Sequence, residues 1–159
     1  MGAINNAFNQ AAGAAAGAAL AIKHAKETEE SKMHTADSTA IVARNQYRAA
    51  AAEANEAANE AKQPGGLNFQ LAEAETAKEA ANEAFNKAVN RKNASPTTIL
   101  NKMTELRAAQ KAADTLRDKY KAVEDLQKRA EEQRAYAEKT TKMALEAKER
   151  FEKHWGGLR

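Results

Sequence analysis

The stretch ILNKMTELRAAQKAADTLRDKYKAVEDLQKRA, residues 99–130, decides the fold of this chain. Apolar residues follow one another in it at steps of three or four: Ile99, Met103, Leu106, Ala109, Ala113, Leu116, Tyr120, Val123, Leu126 and Ala130. The mean step is about 3.5 residues, which is the spacing of a coiled-coil seam. Alanines and Phe151 continue the stripe towards the end of the chain. The pattern predicts one long helix over 96–154 with a seam that faces another helix.

Two interruptions outside this stretch mark off two further helices. In KQPGGLN, residues 62–68, a proline before two glycines is typical of a helix stop and a turn. In NASPTT, residues 93–98, the sequence predicts Ser95 as the N-cap and Pro96 as the first helical residue. We therefore expect a frayed end at the final WGGLR and three helices over roughly 3–62, 68–92 and 96–154.

The composition indicates helices but no thick hydrophobic core. Alanine, the strongest helix former, supplies 40 of the 159 residues, whereas Leu, Ile, Val and Phe together supply only 20. Ala, Glu, Lys, Leu and Arg make up 92 residues, a share typical of long helices and coiled coils. The predicted fold class is all-α, with long helices of coiled-coil character in an extended helical hairpin or a three-helix arrangement. Because so little bulk can be buried, we expect oligomerisation to complete the packing.

The chain divides into four segments in this interpretation: a leader over 1–26, the body of the first helix over 27–63, a middle helix over 67–93, and the long helix over 96–154. The stretch ETEESKMHTADSTA, residues 27–40, carries five Ser or Thr residues, which form helix less well than alanine. It predicts a break or hinge near residues 28–38 that separates the leader from the body.

Residues 1–22 of the leader carry no charge, and GAAAG at 13–17 matches the GxxxG pattern of closely packed helices. The run is shorter and less apolar than the about 20 residues of a membrane-spanning helix, and it lacks the basic start of a secretory signal. It predicts either a helix packed against another protein or a segment that enters a membrane only when several copies assemble. The residues expected to do so are Gly13, Gly17, Leu20 and Ile22.

The far end of the chain offers an aromatic pair. Phe151 and Trp155 lie one helical turn apart beside basic residues. They predict an anchor to a partner or a membrane interface, or a cap on the bundle.

Little in the sequence indicates chemistry. There is no cysteine, and the three histidines, His24, His34 and His154, form no known metal or catalytic motif. We therefore expect no enzyme, no cofactor and no metal site. The net charge is +3, and fifteen basic residues over 96–159 are interleaved with eleven acidic ones. This arrangement favours a solvated helix face, with weak, non-specific contact to DNA as the only nucleic-acid interaction expected.

Three features together resemble bacteriophage internal virion proteins, also called ejection or DNA pilot proteins. These are the neutral opening MGAINNAFNQAAGAAAGAALAIKHAK, the long Ala/Glu/Lys/Gln helical body and the absence of cysteine. The resemblance implies a multi-copy helical protein that is stored in the virion and assists DNA delivery across the host envelope. Its partners would be copies of itself, other virion proteins and the host membrane through the leader. The alternative is a cytoplasmic coiled-coil scaffold or adaptor without a membrane role.

Overall fold

The computed structural model describes residues 2–156, and these form three α-helices and no strand: α1 (Gly2–Lys62), α2 (Leu67–Asn90) and α3 (Pro96–Trp155). The helices pack against one another in a bundle, which confirms the predicted all-α class. Met1 and residues 157–159 lie outside the described part of the chain, and so does most of the predicted frayed end.

α1 ends at the first of the two interruptions and α3 starts at the second, as the sequence predicts. The turn after Lys62 contains Gly65 at φ 75°, a left-handed conformation that glycine adopts without strain. The amide of Gly66 then donates to the carbonyl of Gln63 at 2.8 Å. α2 stops at Asn90, two residues before the expected end, because Arg91 already has extended backbone (φ −73°, ψ 132°).

The predicted hinge near residues 28–38 is wrong. α1 is uninterrupted through this stretch, and two of its hydroxyl side chains bond to carbonyl groups of the same helix. The Thr28 hydroxyl donates to the carbonyl of His24 at 2.8 Å, and Thr39 donates to Thr35 at 2.9 Å. Ser and Thr lower helix propensity by only a few tenths of a kcal/mol each relative to the average residue, and packing outweighs such a cost.

Two compact units make up the chain, and the first contains residues 1–47 with 133–159. In it α1 and α3 run antiparallel. The indole of Trp155, at the end of α3, bonds to Glu29, whereas Tyr136, nineteen residues earlier, lines the same open space as Val42. Residue numbers therefore rise along α1 as they fall along α3.

The second unit contains residues 48–132, with the last part of α1, all of α2 and the first part of α3. α2 and α3 are joined by a connection of only five residues, which is typical of antiparallel neighbours. The guanidinium of Arg117 on α3 makes an ion pair with the carboxylate of Glu75 on α2. This contact lacks the alignment of a hydrogen bond, and both side chains are partly exposed, so its contribution is below about 1 kcal/mol.

The buried residues are almost all alanine. Ala113 is fully buried, Ala40 and Ala43 are each 1% exposed, and Leu106 is the one large apolar residue in the buried set of the described chain. Within residues 2–156 no large side chain is completely enclosed. Small side chains let the helix backbones approach closely, but each buries little area, so the packing is thin.

Candidate functional site

The first 24 residues of α1 have no neighbour within their unit. Every residue from Gly2 to Ala25 is exposed, and Lys26 is the first half-buried one. At about 1.5 Å per residue this uncovered segment is about 36 Å long. It carries no charged side chain before Lys23. An exposed helix of this length with no charged side chain over its first 21 residues, 2–22, is the most unusual surface of the first unit. We call residues 2–25 the leader helix.

The predicted leader residues lie on this exposed helix. A β-carbon added at Gly13 or at Gly17 would meet nothing within 4 Å, so neither glycine is in a close helix contact within the chain. The side chains of Leu20 and Ile22 are 56% and 55% exposed. The four residues are thus available to other molecules, but the chain itself does not bring them against a partner.

The predicted aromatic anchor lies at the place where the cover of α1 begins. Phe151 and Trp155 are both half-buried in the first unit. The Trp155 Nε1–H donates to Glu29 Oε2 at 2.7 Å, in a partly buried bond between residues 126 apart in sequence. Hydrogen bonds to a carboxylate are among the stronger ones in proteins. This contact therefore fixes the end of α3 against α1, four residues after the leader helix ends.

The predicted seam of α3 lies along one side of the helix. Leu106 is buried, and five other seam residues are half-buried: Ile99, Met103, Leu116, Val123 and Leu126. Tyr120 lies at the edge of the stripe, with 37% of its surface exposed. About two covered positions in every seven is the width expected of a helix that packs against one neighbour at a time.

An open groove of mixed polar and apolar lining runs beside α1 in the first unit, and the sequence patterns do not predict it. It is an open space of about 820 Å³ along residues 27–46, with Tyr136 of α3 on its other side. The residues that line it include four with a side-chain hydroxyl group: Ser31, Thr35, Ser38 and Thr39. The signal was the same Ser/Thr-rich stretch that predicts a hinge. The hydroxyl groups do not interrupt the helix, but they give this side of α1 polar atoms that face the open groove.

The charged groups near the groove form only surface pairs. His24 lies 3.9 Å from Glu27, and His34 lies 3.8 Å from Glu30, with all four side chains largely exposed. Within residues 2–156 no group of three or more His, Asp or Glu side chains is arranged to hold a metal ion. Among the same residues, no helix combines the length and the apolar character needed to cross a membrane.

The chain matches no protein-family model, no curated protein and no solved structure. The candidate site therefore consists of the leader helix, the Trp155 contact that limits it and the groove beside residues 27–46.

Proposed function

We propose that this protein is a bacteriophage virion protein of the internal or ejection type. It assembles in several copies through its long helices and assists the delivery of DNA across the host envelope. It resides in the virion and reaches the host envelope during infection. Its partners are copies of itself, other virion proteins and, through the leader helix, the host membrane.

The observation that carries the proposal is the exposure of the whole leader helix. Ile4 and Phe8, at 76% and 74% exposure, lie one turn apart in the part of this helix that carries no charge. Exposed apolar surface of this kind marks a site of contact with protein or membrane. The thin alanine packing supports the same conclusion, because contacts between copies add apolar burial that one chain cannot provide.

Dye release from lipid vesicles by the full chain tests the membrane part of the proposal. We expect release by the natural sequence and its loss in Leu20→Glu, because a charge on the leader helix opposes entry into the bilayer. Leu100→Glu is the matched control: Leu100 on α3 is also 56% exposed, and this variant should release dye like the natural protein. No release at any protein-to-lipid ratio would remove the membrane role.

A coiled-coil scaffold or adaptor without a membrane role is the second candidate. The groove along residues 27–46 favours it, because its lining combines side-chain hydroxyl groups with a larger share of apolar surface, which suits the apolar face of an amphipathic partner helix. Val42 and Tyr136, on opposite sides of the groove, are each about half exposed. Retention of partner binding by Leu20→Glu, together with absence of dye release by the natural chain, would favour this function.

A weak, non-specific contact with DNA belongs to the proposal as a further interaction. α3 presents basic residues, but acidic ones lie among them, and the most exposed aromatic residue of α3, Tyr136, lines the groove. Binding that falls steeply as salt rises would support a weak electrostatic contact. Absence of binding even at low salt would exclude it.

A further inference from the structure

The face of α1 that packs on α3 continues into the leader helix without a change of period. Eighteen residues make five whole turns of an α-helix, so residues eighteen apart point in the same direction. Ile22 lies eighteen residues before Ala40, which is 1% exposed against α3, and Ile4 lies eighteen before Ile22. The same step leads from three half-buried residues of the body, Glu29, Met33 and Ala36, to Ala11, Ala15 and Ala18.

The leader helix therefore has a complete seam: Ile4, Phe8, Ala11, Ala15, Ala18 and Ile22. Its steps are three or four residues throughout, and it contains no charge. α3 covers the continuation of this face up to Glu29 and then ends, at Trp155. The uncovered seam is thus a direct extension of the α1–α3 interface, with its second helix missing.

We propose that the leader helix of a second copy of this chain fills the missing position, antiparallel to the first. The inference rests on the self-association in the proposed function and names its surface. Antiparallel pairing about a twofold axis at residue 13 sets Ile4 opposite Ile22 of the second copy. In the same register Phe8 faces Ala18, and Ala11 faces Ala15. The pairing sets a large residue against a small one at Phe8 and Ala18 and two small residues together at Ala11 and Ala15, while two large apolar residues, Ile4 and Ile22, meet at each end. The same surface serves both copies, as a twofold axis requires.

The lengths of the helices fit this arrangement. In the first unit α3 runs antiparallel to α1 and ends beside residue 29. A second antiparallel helix can therefore pack on the same face of α1 from about residue 24 towards Gly2. The leader helix of the second copy starts at Gly2 and fills that line for 24 residues. By symmetry the first leader fills the same position on the second copy, so the contact closes on itself as a dimer.

The two glycines belong to a different face. Gly13 lies two residues from both Ala11 and Ala15, which turns it about 200° from the seam, and Gly17 also lies off the seam. Leu20 stands in the same relation to Ala18 and Ile22. The dimer seam therefore leaves Gly13, Gly17 and Leu20 free for a membrane or another virion protein.

A matched pair of charge substitutions tests the seam. Ile22 and Leu20 have nearly equal exposure in one chain, but only Ile22 lies in the proposed contact. The mass of the full chain by light scattering, measured over a range of concentrations, should show a reversible dimer. Ile22→Glu should weaken it by about 100-fold or more, because a charge would be buried without a partner. Leu20→Glu should leave the dissociation constant within about threefold of the natural value.

Cysteine cross-linking tests the register, since the chain has no cysteine of its own. A mixture of Ala11→Cys and Ala15→Cys chains should form a disulfide-linked dimer on mild oxidation, because these positions face each other. Either variant alone should form far less. Efficient linking of each variant to itself would indicate a parallel pair and would overturn the proposal.

The outcomes separate this inference from the proposed function. If Leu20→Glu dissociates the dimer and Ile22→Glu does not, the chain self-associates through another face and only the seam is wrong. If the natural chain is monomeric at every concentration, both the seam and the self-association fail. If the seam is confirmed but vesicles never release dye, the dimer stands and the membrane role falls.

Discussion

The leader helix and residues 26–47 belong to one continuous helix, yet they differ in almost every physical respect. Both have the same seam period, and both are rich in small residues. The body carries charges and packs on α3, so that Ala40 and Ala43 are each 1% exposed. The leader carries no charge before Lys23 and is exposed on all sides. The comparison teaches that two stretches of one helix can share a seam period although only one of them is covered within the chain.

The largest difference in stability between the two regions is expected when the same charge is placed on the same face of each. Ala40→Glu should lower the free energy of unfolding by about 4 kcal/mol, because a carboxylate would be forced into the α1–α3 contact. Ile22→Glu, five turns earlier, should change it by less than about 0.5 kcal/mol in dilute, monomeric protein. Chemical denaturation followed by circular dichroism measures both. Equal losses would mean that the leader is covered within the chain.

The contact at the boundary between the two regions gives the second prediction. Trp155→Phe removes the hydrogen bond to Glu29 and should cost about 1 kcal/mol, since the bond is only partly buried. The loss should be local, with faster amide hydrogen exchange over residues 26–33 than over residues 40–47. His154→Ala, at an exposed neighbouring residue, is the control and should leave both rates unchanged. A uniform effect along α1 would contradict a local boundary.

A substitution of the acceptor of this hydrogen bond, Glu29, tests the same contact. Glu29→Gln keeps an oxygen that can accept from the indole but removes the charge, so it should cost less than Trp155→Phe. The emission of the single tryptophan reports the state of the contact directly. Trp155→Phe leaves no tryptophan to observe, so the measurement compares the quenching of Trp155 by iodide in Glu29→Gln and in the natural chain. Increased quenching is expected, because the weaker bond opens more often.

The smallest effect on global stability is expected from the glycines of the leader. Replacing Gly13 and Gly17 by alanine should stabilise the helix locally by about 1 kcal/mol per site, because glycine costs conformational entropy in a helix interior. Nothing in the chain lies where the added methyl groups would go. Hydrogen exchange of the leader should slow, while the free energy of unfolding of the body stays the same. A loss of self-association in this variant would place the contact on the glycine face.

Several features of the fold could be predicted from residues alone. The start of α3 at Pro96 and the end of α1 before Pro64 follow from local backbone chemistry. The predicted hinge is wrong because the low helix propensity of Ser and Thr is a small effect that packing against α3 outweighs. Thr28 and Thr39 donate to carbonyl groups of the same unbroken helix. The groove beside residues 27–46 was missed for a related reason. Its walls come from α1 and from Tyr136, about a hundred residues away, and no local pattern joins them.

The sequence by itself determined that this chain is helical, where its helices begin and end, and which face of each one seeks a partner. These properties depend on propensities, caps and a period of 3.5 to 3.6 residues, all of which act within a few turns. Only the tertiary structure decided which partner each face receives. It places Trp155 beside Glu29, 126 residues away in sequence, so that α3 covers α1 only after the end of the leader helix. Pairing between distant helices depends on how their lengths and registers match, and that match leaves the leader seam open.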